Sequence, residues 1–329
     1  MTNVFYELKM LLLDLLKELT GILPYFLAGV AIEAFIRTYK LHVKIRHALT
    51  RFGFTAIFMA TFLGTLSPLC ACGILPLTIS LLIGGLPLAP AMSLLVSSPL
   101  MSPAGYMITK WELGLGWANA KLIASIFMGI YAGTITYFLS KYYNFETENL
   151  FKKELPKGDF HDHDYPVENL RCFCGEQFSN RIAQKTNNNL LIFFAKAYEG
   201  CIAIGKFALL GIIIEVIGAR YIPAEWIEII FGMKNFWITI PLIILLSIPL
   251  HINQISSVAI LGGVLDKLGN KLSPGAGLAF LIGGPVTALP VMAIFISLFK
   301  KRVFFLYILI CFTGSVIVSY FYQMLTFVF

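Results

Sequence analysis

Ser67-Pro68-Leu69-Cys70-Ala71-Cys72-Gly73-Ile74-Leu75-Pro76 interrupts a hydrophobic run with two prolines, a glycine and a Cys-x-Cys pair. Proline has no N–H to donate and disfavours helix in the residue before it, so a helix should not pass through intact. The flanking apolar stretches, 53–68 and 74–84, would extend roughly 24 and 16 Å as helices, against a hydrocarbon core of roughly 30 Å. Neither spans comfortably. A hairpin that enters a bilayer, turns near the midplane at Cys70–Gly73 and returns fits these lengths. Non-helical backbone at that depth is tolerated only where protein covers it or it lines a wet cavity. The alternative is one long broken span, giving about eight crossings.

The rest of the chain supports a membrane setting. Of 329 residues, 58% are hydrophobic and 13% charged, and the mean hydropathy is +0.80. Apolar segments fall at about 20–38, 53–68, 74–84, 88–108, 118–140, 190–217, 236–249, 255–267, 275–298 and 303–325. The expected fold is an all-α polytopic membrane protein. The alternation of a transmembrane barrel is absent. The net charge of +7 speaks for membrane orientation rather than nucleic acid. The first residues lack a basic region and a cleavage site, so no signal peptide is expected. Residues 1–19 read as an amphipathic interfacial helix, with Leu8, Leu12 and Leu15 on one face and Glu7, Asp14 and Glu18 on the other.

The chain reads as a duplication around a hydrophilic linker at 141–189. Ile32-Glu33 pairs with Ile214-Glu215, and Pro68-Leu69-Cys70-Ala71-Cys72-Gly73 with Pro249-Leu250-His251-Ile252-Asn253-Gln254. Leu95-Val96-Ser97-Ser98-Pro99 pairs with Leu281-Ile282-Gly283-Gly284-Pro285. The offsets are 182, 181 and 186 residues, in the same order. The repeats are 20–140 and 190–329, of about five segments each. Basic residues then orient them. Arg37, Lys40, Lys44, Arg46 and Arg51, the linker with Lys196 just beyond it, and Lys300-Lys301-Arg302 belong in the cytoplasm. This puts 16 basic residues inside and 8 outside, with Lys206 left in a helix. An odd number of segments per half makes the repeats inverted, with both termini outside and the two hairpin tips meeting near the midplane. Broken segments at corresponding positions of inverted repeats are a mark of secondary transporters.

Cys70 and Cys72 are the leading substrate ligands, since thiolates select soft acceptors such as Cu(I), Zn(II) or trivalent arsenic. Gly73 and its neighbours offer backbone amides at the start of the returning helix. Cysteine as a small buried hydrophobe is the competing reading. His251, Asn253 and Gln254 occupy the matching break, as ligands or proton relay, or as polar caps on a loose turn. Ser97, Ser98 and Pro99, with Ser102 and Pro103, break the fourth segment. Gly283, Gly284 and Pro285, with Thr287 and Pro290, break the ninth. Close helix packing explains these small residues as well as substrate contact does. Glu33 and Glu215 are equivalent acids that could couple transport to protons, although Glu33 also sits one turn before Arg37. In the linker, His161, His163, Cys172 and Cys174 could collect a transition metal, or be incidental to a solvated segment.

The Pro-Leu-Cys-Ala-Cys-Gly-Ile-Leu-Pro-Leu segment, followed by Gly-Leu-Pro-Leu-Ala-Pro-Ala and the Ser-Ser-Pro break, resembles the predicted-permease family that includes the ArsP organoarsenical efflux permeases. That family typically carries serine between the two cysteines; here Ala71 stands there. The resemblance implies an inner-membrane efflux permease, with trivalent organoarsenicals as best-known cargo and copper or zinc for some relatives. The expected function is therefore secondary transport of a thiophilic metal or metalloid species, not enzymatic turnover. No cofactor is expected, and no nucleotide loop ending in Gly-Lys-Ser/Thr is present. The expected partners are the bilayer and a small-molecule, metal or metalloid substrate. A carrier for a small thiol compound or organic anion, and a membrane thiol-disulfide oxidoreductase, are the alternatives.

Overall fold

The computed structural model describes residues 53–67, 86–143, 188–199, 230–233, 235–250, 254–268, 272–287 and 299–328, with scattered positions elsewhere. The protein is all-α, and no strand is present among the described residues.

Helix α1 (Thr55–Leu66) stops where the opening stretch begins. Ser67 is extended (φ −69°, ψ 129°), and its N–H returns to the Leu63 and Gly64 carbonyls. Its position before Pro68 explains the stop. Residues 68–73 lie outside the described residues. Past them, Ile74, Leu77, Thr78, Leu81 and Leu82 are helical and buried at the three-and-four spacing of one helix face.

The fourth apolar segment divides as its serines and prolines predict. Helix α2 (Leu88–Ser97) is buried at every position. It ends before Pro99, which cannot supply the next N–H. Helix α3 (Pro103–Glu112) starts on Ser102, whose extended backbone (φ −141°, ψ 161°) and side chain accepting from Gly105 N–H make an N-cap, with Pro103 at the first helical position. Gly114 (φ +95°) reverses the chain into α4 (Leu115–Tyr143).

In the second half, Asn235 Oδ1 accepts from Trp237 N–H ahead of α5 (Phe236–Leu250). Helix α6 (Gln254–Leu268) follows after three residues outside the described set. Helix α7 (Pro274–Val286) starts on a second Ser-Pro cap, Ser273-Pro274, and α8 (Lys301–Val328) closes the chain. The ninth segment breaks at Thr287, one of the residues expected to break it. Its helix runs through Gly283, Gly284 and Pro285 and stops only at Thr287. Pro285 lies in the last turn, where its missing N–H costs a single bond, and Thr287 Oγ1 donates to the Gly283 carbonyl (2.7 Å).

Helix α2 packs between α1 and α4, and α7 between α5 and α8. Helix α4 also meets α7 and α8, while α6 bridges α7 to α3. Small residues set the α1–α2–α4 spacing. A Cβ at Gly64 would overlap Ser97 Oγ, and one at Gly129 would stand 2.6 Å from Thr61 Cγ2 and 3.0 Å from Ser97 Cβ. One at Gly133 would overlap Ser93 Oγ. Close approach through small side chains is how apolar helices associate where solvent supplies no driving force. At about 43 and 42 Å, α4 and α8 are long enough to cross a membrane; α1, α2, α5 and α7 are apolar but shorter.

The linker touches this core at one described point. Leu150 is buried in the main apolar cluster, and its carbonyl accepts from Lys300 N–H (2.9 Å) just before α8. This residue is docked within a stretch that composition alone presents as a flexible connection.

Candidate functional site

The buried polar groups converge where three helices meet: the N-termini of α3 and α6 and the first third of α4. Gln254, the first residue of α6, lies against the α3 cap. Its Nε2 donates to Ser102 Oγ (3.3 Å), which also accepts from Gly105 N–H (3.0 Å). A Cβ on Gly105 would stand 2.8 Å from Gln254 Oε1, so glycine is needed for the amide to lie over the first turn. That Oε1 is buried and has no hydrogen-bond partner among the described residues.

Lys121 approaches Gln254 from α4. Its side chain is fully buried, and Nζ donates to the Gln254 carbonyl at 3.4 Å. The same carbonyl accepts from Ser257 Oγ (3.1 Å). Lys121 belongs to a buried stripe with Ala118, Ser125, Met128 and Ala132, while Ile123 on the other face is 68% exposed. The lysine therefore does not snorkel outward, although it lies only about 9 Å from the helix start. A lysine in a spanning helix costs up to about 3 kcal/mol on insertion scales and usually marks a pathway or a paired charge. Among the described residues no carboxylate pairs with it. Nearby, the Tyr106 hydroxyl donates to Asn119 Oδ1 (2.8 Å). This holds α3 against α4 and fixes the cap relative to Lys121.

The sequence-predicted residues fall into three groups. Gln254 stands in the cluster. Ser97 and Ser98 are fully buried away from it in the α1–α2–α4 contact. Ser97 Oγ donates to the Ser93 carbonyl of its own helix (2.8 Å), and Ser98 begins the turn after α2. Glu33, Cys70, Cys72, Gly73, His161, His163, Cys172, Cys174, Glu215, His251 and Asn253 lie outside the described residues. Lys121 was missed. The charge balance counts it among the basic residues outside, because it sits near the start of the fifth apolar segment. The available signal was a cation at helical spacing from small residues Ala118, Ala124 and Ser125, which places it on a packed face.

The description of the family model that matches residues 8–324 is "Predicted permease". The chain belongs to this family. The permease is 22% identical over 327 residues to UPF0718 protein YcgR of Bacillus subtilis (strain 168), covering 96% of this chain and 98% of that one. It is 26% identical over 145 residues to a protein of Streptococcus mutans serotype c named as a putative two-component membrane permease complex subunit, covering 44% of this chain and 46% of that one. No solved structure matches the permease. Membership supports a membrane transporter rather than an enzyme.

Proposed function

We propose that this permease is a secondary transporter that exports a thiophilic metal or metalloid species, such as a trivalent organoarsenical, copper or zinc, across the inner membrane. Cys70 and Cys72 are its soft ligands, with the Gly73 amide, His251, Asn253 and Gln254 completing the site between two inverted repeats. The observation that carries the location is Gln254 at the second break, lying on Ser102 at the break of the fourth segment. The first residue of α6 thus meets the cap of α3, 152 residues earlier in the chain. The like arrangement of a buried short helix between longer ones, α2 in α1–α2–α4 and α7 in α5–α7–α8, supports the duplication. Thiolates supply the cargo preference.

In this reading the linker is cytoplasmic and both termini are outside. His161, His163, Cys172 and Cys174 collect metal before entry, and Glu33 and Glu215 carry the coupling protons. A second membrane subunit fits the same reading, given the name of the streptococcal relative. The test is uptake of phenylarsine oxide, Cu(I) or Zn(II) into inverted vesicles by Cys70→Ser/Cys72→Ser. Transport should fall to the empty-vesicle level while the purified variant stays monodisperse in detergent; undiminished transport removes the thiol site.

A further inference from the structure

We infer that Lys121 is the binding residue of an anion site, which takes a small oxyanion or carboxylate group beside the N-termini of α3 and α6. This deepens the transporter reading by naming the charge of a transported group, and rests on Lys121, which the thiol site does not use, with Gln254 shared between the two.

The ammonium is the first observation. Lys121 is fully buried, carries three N–H donors, and has one acceptor among the described residues: a carbonyl at 3.4 Å that Ser257 Oγ also uses. Among the described residues, this enclosed cation has no counter-charge and a single long hydrogen bond. The second observation is the Gln254 amide. As oriented, Nε2 donates to Ser102 Oγ while Oε1 is buried without a partner among the described residues. Exchanging the two amide ends lets the Ser102 hydroxyl donate to Oε1 and satisfies the oxygen. The NH₂ donors are then buried and without a partner among the described residues. The unused groups of the cluster are then all donors, from Lys121 and Gln254. The third observation is the backbone. Both α3 and α6 begin here, so both present the positive end of a helix dipole. Three positive elements around one buried point select a negative ligand and repel a free metal cation. A metal-bearing cargo would reach this point as an anionic complex or through an acidic substituent.

The test uses the full chain in neutral phosphatidylcholine nanodiscs, at constant ionic strength set with sodium chloride. Inorganic phosphate and benzoate are titrated and unfolding temperature is recorded. Wild type should show a saturable rise with at least one probe. Lys121→Gln should weaken the apparent affinity at least tenfold, Lys121→Arg should keep it within about threefold, and Lys110→Gln, at an exposed lysine of α3, should match wild type. If Lys121→Gln does not fold, acylation of wild type by a small amine-reactive ester decides. Either anion should slow modification of Lys121 saturably and leave Lys110 unaffected. No response to either anion in wild type, an equal response in Lys121→Gln, or a response only on changing to phosphatidylglycerol discs overturns the proposal. The Cys70→Ser/Cys72→Ser protein should retain the response, so the anion site and the thiol site can fail separately.

Discussion

The Lys121 ammonium lies 3.4 Å from the carbonyl of Gln254, 133 residues away, where the start of α6 meets the long apolar helix α4. A charge at this point does little for the fold: among the described residues no carboxylate pairs with it, and a buried ion without a counter-charge costs more than an apolar side chain of the same length.

Lys121→Met should therefore leave the fold intact and raise its stability by about 1–3 kcal/mol, within the range seen when buried ions are replaced by apolar residues. Transport should be lost. Unfolding temperature in detergent and vesicle uptake measured on the same preparation check this. A drop in both would make Lys121 a structural residue.

The fold was legible in the sequence where proline and serine punctuate apolar runs. Pro68 places the end of α1, and Ser102-Pro103 the start of α3, because caps and missing donors act locally. Pro285 marks its stop less sharply, two residues before the Thr287 cap. Near a helix end its missing N–H removes one bond, and the surrounding packing carries the helix on to Thr287. Part of the candidate site was legible through Gln254. Lys121 was not, because a lysine near a helix end can as well face outward. Only the packing of α3 and α6 decides its direction.

Ser102→Ala should cost more than an ordinary cap. Losing the bond from Gly105 N–H costs about 1 kcal/mol, and the Gln254 amide loses the Ser102 hydroxyl as well, at about 1–3 kcal/mol for a buried group. Ser102→Thr keeps the oxygen and should recover most of the loss. Thermal unfolding of the two variants side by side distinguishes them.

Gln323→Leu should destabilise the second Ser-Pro cap. Gln323 Oε1 accepts from both the Ser273 hydroxyl (3.0 Å) and Gly275 N–H (2.6 Å), tying α8 to the start of α7. Leucine leaves two buried donors to find other partners, at about 1–3 kcal/mol. Because this contact is remote in the chain from Lys121 and Gln254, binding at the anion site should persist in whatever protein folds. Denaturation monitored alongside the phosphate titration separates stability from binding.

Gly133→Val tests the helix contact that carries α2. A Cβ there would overlap Ser93 Oγ and stand 2.5 Å from Ile57 Cγ2, so both α1 and α2 would have to move away from α4. Overpacking of this kind costs about 1–3 kcal/mol, and the small-residue contact it removes is the means by which these helices associate in lipid. The variant should show reduced folded yield and a lower unfolding temperature. Gly283→Ala makes the contrast. Its new methyl would sit at ordinary contact distance from Ile244, 3.4 Å from Cα, and should be tolerated with little change. If both substitutions behave alike, the α1–α2–α4 contact is looser than its small residues imply.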